Sequence, residues 1–186
     1  GRPYTIAFHA LASMRTQGDP VTKFIKLAEA ARVVHACIGQ PEAQLLLVQD
    51  SGFGFVTQIN SLMTKNRAGK TVVSMVEGAQ LLAPLIRPTE TTQYIAVATS
   101  KGYVLIFEAT QLPVLDRGKG TVLIRIKQLH RVTREEVIVA CTWLASGEAL
   151  KIQAGRRHIV LKPKDWAAYV GQRASRGHVL PRGCRQ

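Results

Sequence analysis

Four glycines, Gly1, Gly52, Gly102 and Gly155, recur at spacings of 51, 50 and 53 residues. A period of that length constrains the fold more than any single segment does. Three of the four close a short turn between strand-like runs: LLLVQ-DSG-FGFVTQI, YIAVAT-SKG-YVLIFEA and LKIQ-AG-RRHIVLK. Short glycine-containing loops between β-branched and aromatic runs are hairpin signals. Ten residues beyond the first three glycines stands a leucine: Leu11, Leu62 and Leu112. The fourth copy departs, with Asp165 there and Trp166 beside it. A polar loop carrying glycine then follows in every copy: RTQGDP, NRAGKT, DRGKGT and QRASRGH.

After each of the first three loops come three more apolar runs. They cover residues 23–27, 32–37 and 44–49 in copy one, and 71–76, 80–86 and 93–99 in copy two. Copy three has them at 121–127, 135–143 and 149–153, and copy four stops after its loop and HVL. The period predicts an all-β protein of four-stranded units, with about fourteen strands. The repeats are 1–50, 51–100, 101–153 and 154–186, and together they are expected to form one domain. Gly1 already occupies the hairpin position, so a partner strand is expected upstream and the chain is expected to belong to a longer polypeptide. One segment has competing signals. KLAEAARVVHACI carries helical spacing, whereas its counterparts GAQLLAPLI and EEVIVACTW read as strand, and the repeat assigns strand to all three. PKDWAAYV predicts one short helical turn opening at Pro163.

Of the 186 residues, 46% are hydrophobic, ample for a core, yet no apolar run approaches the ~18 residues of a membrane span. Nothing in GRPYTIAFHALASM reads as a signal peptide. The three cysteines, Cys37, Cys141 and Cys184, fit reduced thiols in a cytoplasmic protein better than a disulfide framework. Cys37 and Cys141 lie on apolar runs, where free Cys packs as a small core residue. A zinc site usually shows paired ligands at tight spacing, which His35, Cys37, Cys141, His178 and Cys184 do not make. Trp143 ends an apolar run and reads as core. Trp166 lies nearer the basic loops and is a candidate for stacking on a base.

The net charge is +13, with 25 Lys and Arg against 12 acids. Such a field attracts polyanions. Residues 154–186 hold eight of the basic residues and one acid. Within each copy the cations gather at two places. One is the turn that opens the strand: Arg2, Lys101, Arg156 and Arg157. The other is the glycine loop: Arg15, Lys65, Lys70, Arg67, Arg117, Lys119, Arg173 and Arg176. Equivalent positions on repeated units face one side, so these cations, with Arg182, are expected to form a band around one rim. Glycine lets a loop approach a phosphate and offer its N–H groups, while Arg and Lys neutralise the charge. The band therefore predicts contacts to the backbone of duplex DNA, with bending and little base specificity. A protein-docking propeller is the alternative; only 6% of the chain is aromatic, which argues against a single-stranded RNA binder.

The stretches DSGFGFVTQINSLMTKNRAGK, TSKGYVLIFEATQLPVLDRGKG and GQRASRGHVLPRG, taken with the repeat, resemble the carboxy-terminal domains of the A subunits of bacterial DNA topoisomerase IV, relatives of those of gyrase. The resemblance covers nearly the whole chain. It implies a β-pinwheel, a propeller-like disc in which blades exchange strands. It implies a non-catalytic domain that bends duplex DNA on its basic rim and steers the topology a type IIA topoisomerase processes. The catalytic tyrosine, ATP and Mg would then lie elsewhere in the parent enzyme, with no cofactor, metal or small-molecule ligand in this domain. The partners implied are duplex DNA, the rest of the topoisomerase IV A subunit, plus the B subunit, on the nucleoid in the cytoplasm. The gyrase branch carries a glutamine-arginine-arginine-glycine-glycine-lysine-glycine box in its first blade. Here DRGKG at 116–120 and QRASRG at 172–177 are partial echoes, which favours the topoisomerase IV branch.

Overall fold

The computed structural model describes residues 1–11, 18–89, 91–155 and 157–183. Ten strands occur among them: β1 (Gln44–Val48), β2 (Phe53–Gln58), β3 (Leu85–Ile86), β4 (Thr92–Thr99), β5 (Tyr103–Glu108), β6 (Thr121–Val122), β7 (Ile138–Ala145), β8 (Leu150–Ala154), β9 (Arg157–Leu161) and β10 (His178–Val179). Three short α-helical turns accompany them, α1 (Ile59–Leu62), α2 (Gln128–Val132) and α3 (Pro163–Trp166). β1–β2, β4–β5 and β8–β9 are the three predicted hairpins. They turn at Gly52, Gly102 and Gly155, all with positive φ.

The sheets do not coincide with the repeats. One runs β3-β1-β2-β6, the next β10-β5-β4-β7. In both, the hairpin joins the last strand of one repeat to the first of the next, and takes its third strand from that second repeat on one edge. On the other edge it takes two residues from the loop exit of the following repeat: Val122 opposite Phe53, Val179 opposite Tyr103. A third instance opens the chain, where the N–H groups of Val72 and Val73 donate to the Gly1 carbonyl. These units are thus closed by their neighbours, while β8–β9 stands as a two-stranded sheet.

This crossing explains the loop glycines. A Cβ on Gly120 would sit 2.4 Å from the Gly54 carbonyl oxygen, and one on Gly177 2.4 Å from that of Val104. Both have positive φ, +81° and +72°. Gly120 and Gly177, expected to approach phosphate, lie against the neighbouring strand. Gly120→Ala or Gly177→Ala is expected to cost about 1–3 kcal/mol, from φ strain and the backbone clash together. Gly147→Ala is the control, with φ +85° and nothing within 4 Å of the added atom. Calorimetry should show it melting above both crossover variants; equal melting would remove the crowding argument.

The main core lies between the two four-stranded sheets. Leu46, Val48 and Val56 of the first face Ile95, Val97, Leu105 and Phe107 of the second, with Leu123, Ile124 and Ile126 from the crossover. Trp143 belongs to it, as its sequence position suggested, and its indole N–H donates to the Leu85 carbonyl at 2.9 Å. A second cluster joins the outer face of β4–β5 to β8–β9. Trp166 is buried there, edge-on to Tyr94 at 5.3 Å and donating to the Glu148 carbonyl. It is a core residue and offers no face to a base. It ends α3, the predicted helical turn, whose Asp165 carboxylate accepts from the Lys162 N–H.

Several expected strands are short or absent. Residues 71–76 make a single bridge, Val73 to Gly118, and 121–127 pair over two residues only. Residues 31–40 form neither helix nor strand, and Val33, Val34, Cys37 and Ile38 are exposed. The equivalent runs become β3 and β7 by pairing with β1 and β4, the strands ahead of the hairpin glycines; no described strand pairs with 31–40. Propensity and alternation cannot hold a strand that lacks a ladder partner. Cys37 is therefore no core residue, and Cys184 falls outside the described residues. Cys141, on β7, is half-buried, and burial pushes its thiol up to about 12. Among the described residues no helix is long and apolar enough to cross a membrane.

Candidate nucleic-acid interface

The glycine loops are strung together by backbone hydrogen bonds. Each loop leans on the segment that leaves the loop before it. Lys26 N–H donates to Arg67 O at 2.7 Å, Ser74 N–H to Gly118 O at 3.0 Å, and Arg125 N–H to Ser175 O at 2.8 Å. Residues 26, 74 and 125 follow the loops of copies one, two and three. Successive copies are therefore joined loop to loop exit by backbone hydrogen bonds.

The cations expected on the rim fall into two sets. Lys65, Arg117 and Arg182 are exposed, Lys70 is half-buried, and none of them has a hydrogen bond or ion pair among the described residues. Arg157 is exposed on β9 beside Gly183. Lys119 lies over the Phe53 ring, 4.0 Å from its centroid, with its ammonium otherwise unpaired among the described residues. These carry charge that a phosphate can reach.

The second set is spent on the fold. Arg67 donates to the carbonyls of Lys23 at 2.6 Å and Phe24 at 3.2 Å, capping the turn at 21–23. Arg173 donates to the carbonyls of Gln111 at 2.8 Å and Val122 at 2.6 Å. Arg176 stacks on Tyr103 at 3.6 Å and donates through Nη2 to Glu136 at 2.9 Å. Its Nη1, 2.8 Å from the other Glu136 oxygen, donates to the Arg125 carbonyl. Glu136 is fully buried. Burial pushes its carboxyl up, but hydrogen bonds from Arg176 and Thr99 and the charges of Arg176 and Lys101 outweigh that, and its pKa lies below the ordinary value. Lys101 is 3.7 Å from Glu135 and donates to His130 Nδ1 at 3.1 Å in the tautomer protonated on Nε2. The expectation that Arg176 and Lys101 present free charge is corrected: acids separated from them in sequence neutralise both. Arg15 and Arg156 lie outside the described residues.

Lys26, Arg125 and Lys127 add to the exposed charge without having been expected to. They are exposed on the segments that leave the loops. Arg125 and Lys127 alternate with buried Ile124 and Ile126, so LIRIK itself held the signal: strand alternation puts both cations on the outer face. The helix α2, inserted between β6 and β7, also has no counterpart in the sequence expectation. Its Arg131 lies 5.0 Å from the Phe53 ring that Lys119 also covers.

Hairpins completed by the loop exit of the next repeat, with successive copies joined loop to loop exit, define a β-pinwheel of the gyrase type. Residues 93–134 match the family model described as DNA gyrase C-terminal domain, beta-propeller. The C-terminal domain of ParC from E. coli superposes with a TM-score of 0.90 at 31% identity, covering 100% of this chain and 75% of that one. The chain belongs to the family formed by the C-terminal domains of topoisomerase IV A subunits. It is 34% identical over 183 residues to the A subunit of DNA topoisomerase 4 from Haemophilus influenzae, and 35% identical over 185 residues to that from Pseudomonas aeruginosa. Each alignment covers 98% of this chain and 24% of the relative, so the chain spans about a quarter of their length.

Proposed function

We propose that this chain is a non-catalytic, DNA-bending domain of the A subunit of a bacterial type IIA topoisomerase. Its basic edge holds duplex DNA and steers which topologies the enzyme relaxes or decatenates. Residues 1–186 act as one binding unit without a cofactor of their own. The chemistry belongs to the remainder of the A subunit, working with the B subunit. Lys65, Lys70, Arg117, Lys119, Arg157 and Arg182 neutralise phosphates, joined by Lys26, Arg125 and Lys127.

The observation that carries this reading is the hydrogen-bonded file of loops, which links successive repeats bearing unpaired cations. Duplex DNA bears one negative charge per ~1.7 Å of axis, so cations filed along a curved edge meet phosphates repeatedly and favour a bent path. Among the described residues no comparable file of side chains able to read base edges accompanies them, so binding is expected to depend on backbone and bendability. A gel-shift series with duplexes of increasing length tests this. Affinity is expected to rise until the duplex spans several helical turns. Full affinity for a duplex of about one turn would mean a point contact and would sink the rim reading.

A further inference from the structure

α2 sits between the two basic clusters of copy three and joins them. On its inner side Arg131 shares the Phe53 ring with Lys119 of the glycine loop, at 5.0 and 4.0 Å from the centroid. Arg131 also donates to the Ile126 carbonyl at 3.3 Å. His130 accepts from Lys101 of the hairpin turn at 3.1 Å and faces Glu135 and Glu136 at 3.5 and 3.7 Å. The helix is thereby pinned through His130 and Arg131.

Its outer side is apolar. Leu129 and Val132, three apart and so on one face, are 68% and 75% exposed. Lys127 stands exposed just ahead of them. Scattered surface leucines need no explanation, but this pair is displayed on a pinned helix amid the cations of the rim. Copy two has no counterpart: residues 76–79 there make a tight turn, Ala79 N–H to Val76 O at 3.0 Å.

We propose that Leu129 is an apolar wedge, entering a base step of the bound duplex from the minor-groove side, with Val132 packed beside it. This rests on the reading of the edge as a duplex-binding surface. Partial unstacking by an aliphatic side chain kinks a duplex away from the wedge, and pyrimidine–purine steps yield most easily. Phosphate contacts along the rim supply the attraction, and the wedge localises the bend at the third repeat. It adds a preference for flexible steps without reading bases by hydrogen bonds.

The test uses the 186-residue chain and duplexes labelled at both ends for energy transfer, with 2-aminopurine tiled across pyrimidine–purine steps. Wild type is expected to raise 2-aminopurine fluorescence at one or a few steps. Leu129→Gln keeps a good helix former while removing the wedge; Leu129→Ala with Val132→Ala is the second variant. Both are expected to lose the 2-aminopurine signal, reduce the bend, and weaken binding roughly fivefold. The salt slope and melting temperature should stay as in wild type, because no phosphate contact or core residue changes. Undiminished bending and fluorescence in both variants, or wild-type binding without a 2-aminopurine response at any step, would overturn the wedge alone. A wild-type chain that fails to bind duplex at all would overturn the rim reading with it.

Discussion

Replacing Lys65, Lys70, Arg117 and Lys119 together by Glu is expected to lower duplex affinity about a thousandfold at ~0.15 M salt. The reasoning is counterion release. Each phosphate contact contributes a slope of about −0.9 to log affinity against log salt, so four lost contacts flatten it by roughly 3.6. None of these four side chains makes an ion pair or hydrogen bond among the described residues, and only Lys119 touches a ring. The fold should survive, and circular dichroism melting checks that it does. Anisotropy titrations with one duplex at several salt concentrations give the slope directly. A slope unchanged within half a unit would remove these loops from the interface. The control is Lys162→Glu with Lys164→Glu, at the start of α3 and away from the file of loops. It should change the slope by less than the rim variant, since charge distant from the DNA is screened within about a Debye length.

Arg176→Ala is the second large effect, and it is on stability. It leaves the fully buried Glu136 carboxylate without its main partner. Removing one member of a buried pair typically costs about 3–5 kcal/mol. For a chain of this size that corresponds to a melting-point fall of about 6–20 °C. The pH dependence distinguishes this from a loss of packing on Tyr103. In wild type the folded Glu136 pKa lies below its unfolded value. Its contribution is therefore present above the ordinary carboxylate pKa and is lost as pH falls through the folded one. In Arg176→Ala burial outweighs what remains, so the folded pKa rises and protonation relieves the fold. The deficit of the variant should be widest near neutrality and narrow on acidification. A deficit constant with pH would mean that the ion pair is not its source. Glu136→Gln in the same background should recover part of the loss at neutral pH.

Much of the architecture was legible because its causes are local. A glycine turn between β-branched runs makes a hairpin wherever it stands, and β1–β2, β4–β5 and β8–β9 appear where the period puts them. Trp143 and the short turn at Pro163 were readable for the same reason. What could not be read was pairing across repeats. Residues 71–76 and 121–127 have strand composition, yet in the second only Thr121 and Val122 pair with the preceding hairpin, and in the first Val73 alone makes an isolated bridge, to Gly118. Residues 31–40 have either helical or strand promise and fulfil neither, since no described strand pairs with them. Gly120 and Gly177 stand at the expected positions for a different reason: each admits a neighbouring carbonyl.

The amino-acid sequence determined the repeat, its hairpins and the surplus of positive charge, because each depends on residue type and spacing within about fifty positions. Only the tertiary structure decided which cations remain available. Arg176 and Arg117 occupy matching loops and look alike in sequence. One folds back onto a carboxylate forty residues away, and the other meets no acid among the described residues. Ion pairing is settled by distance and burial in three dimensions, and spacing along the chain does not encode either.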